Sequence, residues 1–135
     1  MVFRSRKNRK SFKERKEKMS EKELNLKLLL KIPEFTPYFQ KYVEDQDGLE
    51  TGSHIVFEDA LVPFVIDSIE KEKDDVLKKA FDFFEEMAGS QDEYEQEVLQ
   101  LSLLEPLKIN YDAIYDFSQL MGRDTFEIYR KLELR

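Results

Sequence analysis

Histidine and cysteine, the side chains that most often serve as catalytic bases, nucleophiles and metal ligands, are almost absent from the chain. It contains one histidine, His54, and no cysteine. A histidine-based serine triad would have to use His54, and the residues around it do not resemble the turn that exposes a catalytic serine. Without cysteine there are no disulfides and no thiolate ligands. The sequence therefore predicts neither an enzyme nor a metal or cofactor site.

Adjacent carboxylates are the other side chains capable of chemistry. Examples are Glu58 with Asp59, Glu85 with Glu86, and Asp92 with Glu93. Two such groups can act as acid and base when their surroundings separate their pKa values. Residues 20–135 hold 27 acidic side chains, so that adjacent pairs arise by chance. Each pair is therefore expected on a solvated surface. A catalytic pair would instead have to be buried in a cleft.

The net charge of −7 combines two segments of opposite sign. Residues 1–19 carry nine basic and two acidic side chains, whereas residues 20–135 carry 13 basic and 27 acidic ones. The chain is therefore divided into a basic N-terminal tail, residues 1–18, and a single acidic domain, residues 19–135. The tail has three interpretations: an arm for nucleic acid or anionic membrane, a solvated tail without a task, or an extension upstream of a native start at Met19.

Apolar residues recur with helical spacing throughout the domain, and no stretch shows the alternation of paired strands. Ser20 and Glu23 form a capping-box pattern before a helix that Pro33 ends. Thr36 with Pro37 predicts the start of the next helix. The predicted fold is all-α, with six to seven short antiparallel helices stacked as hairpins, either HEAT-like or as an irregular bundle.

The later helices follow from apolar periodicity, prolines and capping residues. Residues 53–71 form the predicted central helix, in which Pro63 should produce a kink or a split. Residues 75–88 place their apolar side chains in one arc. The remaining predicted boundaries are a cap at Asp74, a capping box of Ser90 and Glu93, an end before Pro106, a helix from near Asn110 to Gly122, and a cap at Asp124 or Thr125.

The strong acidity of the domain indicates what it binds. Its 27 acidic and 13 basic side chains repel nucleic acid and anionic lipid and favour basic proteins. A tyrosine beside acidic residues supplies contact area at a low entropic cost, which makes Tyr94 a candidate anchor. The predicted partner-binding residues flank the central helices: Glu58, Asp59, Glu86, Asp92, Glu93, Tyr94 and Glu97.

Three segments carry a resemblance to a known class of proteins: FEDALVPFVIDSIEK at 57–71, LKKAFDFFEEMA at 77–88 and DEYEQEVLQLSLLEPL at 92–107. They resemble small, all-helical, HEAT-like bacterial immunity proteins of polymorphic-toxin and contact-dependent inhibition systems. The resemblance implies a protein that neutralises a cognate toxin domain, such as a basic nuclease, by protein–protein contact. The basic N-terminal stretch has no apolar segment behind it and so does not match a secretory signal, which makes the cytoplasm the expected location.

The alternative is a helical-repeat adaptor or scaffold without a toxin partner. Neither interpretation includes a small-molecule substrate. A membrane is not expected either, since no apolar run approaches the roughly 18 residues of a membrane span. Nucleic acid would be bound only through residues 1–18.

Overall fold

The computed structural model describes residues 18–132. Within this range the chain forms six helices and no strand, which confirms the predicted all-α class. The basic tail lies almost entirely outside the described residues. The helices are α1, Glu21–Lys31; α2, Thr36–Tyr42; α3, the consecutive segments Ser53–Ile55, Val56–Leu61 and Val62–Glu70; α4, Asp74–Ala88; α5, the consecutive segments Glu93–Glu97, Val98–Leu104 and Glu105–Tyr111; and α6, Arg123–Lys131.

α1 begins with the capping box that the sequence predicts. The Ser20 Oγ accepts from the Glu23 N–H at 3.1 Å, and the Glu23 carboxylate accepts from the Ser20 N–H at 2.9 Å. One turn further, the buried Asn25 donates to the carbonyls of Leu49 and Thr51 at 2.9 and 2.8 Å. α1 therefore holds the loop between α2 and α3 through a buried amide.

α3 and α5 each contain a π-helical segment that is followed by a proline. Val56–Leu61 precedes Pro63, and Val98–Leu104 precedes Pro106. A proline ring collides with the carbonyl four residues earlier in an α-helix, whereas the wider π turn moves that carbonyl away. Consequently α3 is neither split nor ended at Pro63. The predicted end before Pro106 is wrong, because α5 continues to Tyr111.

α4 lies against α1, α3, α5 and α6. All eight apolar residues predicted for one arc of this helix are buried. α3, the predicted central helix, contacts α1, α2, α4 and α5, so the centre of the fold is shared between α3 and α4. The buried arc of α4 consists of Val76, Leu77, Ala80, Phe81, Phe83, Phe84, Met87 and Ala88.

Several predicted caps are helical residues instead. Thr36 and Asp74 are the first residues of α2 and α4 and provide no side-chain cap. At α5 the capping side chain is Asp92, which accepts from the Tyr94 N–H at 3.3 Å. The Ser90 Oγ accepts from the Asp92 N–H, so it stabilises the turn before the helix. Neighbouring acceptors compete at a helix start, and sequence alone does not decide which one reaches the exposed amides.

The helix predicted to begin near Asn110 does not form. Because α5 extends to Tyr111, the following residues make a turn and then a short 3₁₀ helix, Phe117–Leu120. Phe117 is fully buried and anchors this segment to the core. Gly122 is the residue before α6 rather than the end of a helix.

The first turn of α6 is capped by a residue of another helix. Asp124 and Thr125, the predicted caps, lie within this turn. Their N–H groups donate to the Glu85 carboxylate of α4 at 2.9 and 3.0 Å, and the Thr125 hydroxyl donates to it at 2.7 Å. Glu85 thus satisfies amides that a side chain of α6 would otherwise have to reach.

α3 and α5 lie side by side and run in the same direction. The start of α3 contacts the π segment of α5, and residues from the end of α3 face residues that follow the end of α5. This arrangement is what alternate members of a stack of antiparallel hairpins adopt.

In residues 18–132, no helix combines the length and the apolarity that crossing a membrane requires.

Candidate functional site

His54 lies where the first turn of α3 meets α5. Its Nδ1 is 2.5 Å from the Ser102 Oγ, and its Nε2 is 3.4 Å from the Glu97 carboxylate. The Tyr94 ring meets the imidazole edge to face, with 5.6 Å between the ring centroids. Three side chains of α5 therefore surround the single histidine.

Tyr94 also connects this group to α1. Its hydroxyl donates to the Glu21 carboxylate at 3.0 Å. Burial of the phenol, followed by the hydrogen bond to Glu21, raises the pKa of Tyr94 to about 12. The phenol is therefore a neutral donor at physiological pH. Its ring is held in place and has little rotamer freedom left to lose when a partner binds.

Ser102, His54 and Glu97 stand in the order hydroxyl, imidazole, carboxylate. In a serine hydrolase the hydroxyl faces the substrate. Here Ser102 is only 3% exposed, and its hydroxyl lies between two helices. The geometry therefore supports an interhelical hydrogen bond rather than a nucleophile. Within residues 18–132, no group of three or more histidine or acidic side chains is placed to hold a metal ion.

Exposed carboxylates lie on the same two helices as this contact. Glu58 lies one turn after His54 on α3, where residues four apart are neighbours on the helix surface. Asp59 is exposed and accepts from the Tyr42 hydroxyl at 3.1 Å. Neither of these, nor Glu97, pairs with a lysine or arginine among the described residues. Their charges are therefore available to a partner.

Two aliphatic side chains flank the His54–Ser102 contact. Ile55 follows His54 and is 47% exposed, while Leu101 precedes Ser102 and is 39% exposed. An apolar centre with a charged rim is the usual composition of a protein interface. We define the α3–α5 surface as His54, Ile55, Glu58, Asp59, Tyr94, Glu97 and Leu101.

Four of the seven predicted partner-binding residues belong to this surface, namely Glu58, Asp59, Tyr94 and Glu97. Glu93 is exposed at the start of α5, next to Tyr94.

Two predicted residues have structural contacts of their own. The Asp92 carboxylate caps α5 and also accepts from the Met19 N–H at 3.0 and 3.1 Å. Glu86 lies on α4, where Lys31 of α1 holds its carboxylate at 3.0 Å. No hydrogen bond or ion pair within the described residues joins the Glu86 side chain to the other six predicted residues.

The sequence predicts a partly exposed His54 in the first turn of a helix, but the predicted partner-binding residues do not include His54, Ile55 or Leu101. A signal for His54 and Ile55 was present: residues 42–70 contain eight acidic side chains and no lysine or arginine. In this stretch no lysine or arginine offsets the negative charge, and His54 and Ile55 lie within it. Leu101 had no such signal, because its spacing on an amphipathic helix matches that of a core residue.

Comparison of the chain with curated proteins gave no match, and comparison with solved structures gave none either. A family model described as a domain of unknown function, DUF7674, matches residues 25–135. The match runs from within α1 through α6, so it includes both helices of the α3–α5 surface. The chain belongs to the DUF7674 family.

Proposed function

We propose that the chain is an immunity protein that binds a basic toxin domain through the α3–α5 surface and thereby blocks it. One observation supports this most strongly: Glu58, Asp59 and Glu97 are exposed, form no ion pair with a lysine or arginine of residues 18–132, and lie on the same two helices as the exposed Ile55 and Leu101. The class of partner rests on the resemblance of residues 57–107 to immunity proteins.

The carboxylates would act on the residues that a nuclease uses to hold its substrate. Nucleases bind phosphate with lysine and arginine, and carboxylates form strong charge-assisted hydrogen bonds with the same side chains. A bound acidic surface would therefore occupy the phosphate site. The uncompensated charge would also attract the toxin before contact and so raise the association rate.

Tyr94, Ile55 and Leu101 would supply the affinity. Buried aromatic and aliphatic contacts at the centre of an interface contribute most of its binding energy, and polar residues around them exclude water. Tyr94 is already fixed by its contacts with His54 and Glu21. A preorganised anchor of this kind loses little entropy on binding.

The proposal predicts that the adjacent upstream gene encodes a large secreted protein with a variable C-terminal domain, and it is tested by co-expressing the full chain with that domain. We expect the two proteins to be recovered together, and the chain to rescue growth from the toxicity of that domain. The variant Y94A should retain its helical fold but bind more weakly. If no complex forms and growth is not rescued, the immunity role is wrong, and an adaptor that binds another protein becomes the better interpretation.

A further inference from the structure

A second apolar feature lies at the other end of α3 and α5. Here the two helices and the turn after α5 enclose a groove of about 190 Å³. Cofactor and drug-sized ligands occupy pockets of roughly 300–1,000 Å³. The groove is therefore suited to one or two side chains rather than to a small molecule. Six residues line it: Ile66, Ile69, Glu70, Tyr111, Ile114 and Tyr115.

The apolar lining is open to solvent. Ile114 lies in the turn after α5 and is 78% exposed. Ile66, Ile69, Tyr111 and Tyr115 pack against the core and are only partly buried. An exposed isoleucine above partly buried aromatic and aliphatic side chains gives an inserted apolar side chain contacts on several sides.

The one charged residue among the six that line the groove is negative, and two further carboxylates lie in the turn that carries Ile114. One wall comes from residues 66–70 of α3 and the other from residues 111–115. The nearest lysines in the sequence make contacts of their own: Lys71 with Asp67 at 3.3 Å, and Lys108 with the carbonyls of Tyr129 and Leu132 at 2.8 and 3.2 Å. Glu70 lines the groove, and Asp112 and Asp116 are exposed in the turn that carries Ile114. The Tyr129 hydroxyl donates to the Asp112 carboxylate. Burial, then this hydrogen bond, then the negative charges of Asp112 and Asp116 raise the pKa of Tyr129.

We propose that this groove binds an apolar side chain of a partner protein, taken from a segment in which lysine or arginine residues flank that side chain. Its size fits a side chain, its lining is apolar, and its rim attracts positive charge. The groove is at the opposite end of α3 and α5 from His54. The inference therefore does not depend on the toxin assignment.

The test uses the full chain and two synthetic peptides, KKGLLGKK and KKGSSGKK, which differ only at the two central residues. Burial of leucine should make the first peptide bind about tenfold more tightly. Amide chemical shifts in NMR spectra should change most at Ile66, Ile69, Tyr111 and Tyr115. I114S should remove the difference between the peptides. L30S is the matched control, because Leu30 is also 78% exposed but lies on α1.

Equal affinity for the two peptides would overturn the proposal, as would equal effects of I114S and L30S or chemical-shift changes on a different face. A third peptide, EEGLLGEE, tests the contribution of charge and should bind more weakly than KKGLLGKK. The chain is also examined alone by sedimentation. A dimer that I114S dissociates would identify the occupant as a second copy of the chain, which contradicts a basic partner.

Discussion

At the scale of single residues, Glu85 determines where α6 lies. Its carboxylate accepts three hydrogen bonds from the first turn of that helix. Burial alone would raise the pKa of Glu85. The hydrogen bonds from Asp124 and Thr125 outweigh this effect and hold the pKa below its ordinary value. The sequence predicted a local cap at Asp124 or Thr125, because no pattern in the chain reveals a cap from a residue about 40 positions away.

The Glu85 carboxylate occupies the space that a side chain at position 122 would fill, so the cap depends on Gly122. A Cβ at Gly122 would lie 2.5 Å from the Cδ and Oε1 of Glu85. The backbone there has a φ of −76°, which any residue adopts, so the cost of an added methyl group is steric. We expect G122A to displace the carboxylate and to lower the free energy of unfolding by about 1–2 kcal/mol, as loss of a cap does.

Chemical denaturation checks this prediction, with G89A as the control. A Cβ at Gly89 would meet its nearest neighbour, the Asp124 Oδ2, at an ordinary 3.5 Å, and no positive φ is involved. The two variants should therefore differ clearly in stability. Equal stabilities would show that the Glu85 cap contributes little.

The Glu85 cap should also depend on pH. A carboxyl whose pKa is lowered on folding stabilises the fold above its unfolded pKa, and this contribution disappears as the pH falls through the folded value. E85Q should therefore be less stable than the original chain by about 1 kcal/mol near neutral pH. The difference should shrink below the ordinary glutamate pKa of about 4.3.

Denaturation curves at neutral pH and at about pH 3 measure this change. E86Q is the control, because Glu86 is an exposed residue of the same helix and, within residues 18–132, its ion pair is with Lys31 alone. A deficit for E85Q that is the same at both pH values would mean that its amide disturbs packing rather than removing a charge.

At the scale of helices, polar contacts of α1 attach it to the rest of the fold. Lys27 reaches Glu95 of α5 at 2.8 Å, and the Glu95 side chain is only 1% exposed. The nearby pair of Lys31 and Glu86 is exposed on both sides. A buried carboxylate that loses its cation pays a large desolvation penalty, whereas an exposed pair contributes little.

K27M should therefore destabilise the chain by about 2 kcal/mol, and K31M by less than about 1 kcal/mol. Both substitutions keep an unbranched side chain at the same site. Adding E95Q to K27M should recover part of the loss, because it removes the unpaired charge. Urea denaturation of the four chains tests this. If K27M were no more harmful than K31M, the Lys27–Glu95 contact would not be a tie between α1 and α5.

Helices were predictable where a short pattern determines them. In the Ser20–Glu23 capping box and in the buried arc of α4, each residue of the pattern lies within four positions of the next one. The end of α5 was not predictable, because the π segment before Pro106 removes the clash on which the rule depends. The π segments of α3 and α5 contact each other, and that packing is a tertiary effect.

At the scale of the whole molecule, the arrangement of charge matters more than its total. The net charge of −7 does not distinguish this chain from many acidic proteins, but residues 42–70 hold eight carboxylates without a lysine or arginine. Four of the seven residues of the α3–α5 surface were predictable from acidity and helix position. Ser102 and the contact of His54 with Glu97 were not, because they depend on the packing of α3 against α5.

The charge arrangement predicts how binding of a basic partner responds to salt. Attraction between exposed charges is screened over about 10 Å at 0.1 M salt, so the association rate should fall steeply as salt is added. The dissociation rate should change less, because it depends on the apolar centre. Stopped-flow or surface-plasmon measurements with the upstream-encoded domain would show this, and an association rate independent of salt would argue against steering.

The most direct test is growth rescue by two variants with the same change in charge. E58K/E97K alters the α3–α5 surface, while D75K/D82K alters exposed positions of α4. In cells that express the upstream-encoded domain, the original chain and D75K/D82K should restore growth, and E58K/E97K should fail although it folds. Rescue by E58K/E97K equal to that by D75K/D82K would contradict the claim that the α3–α5 surface binds the toxin.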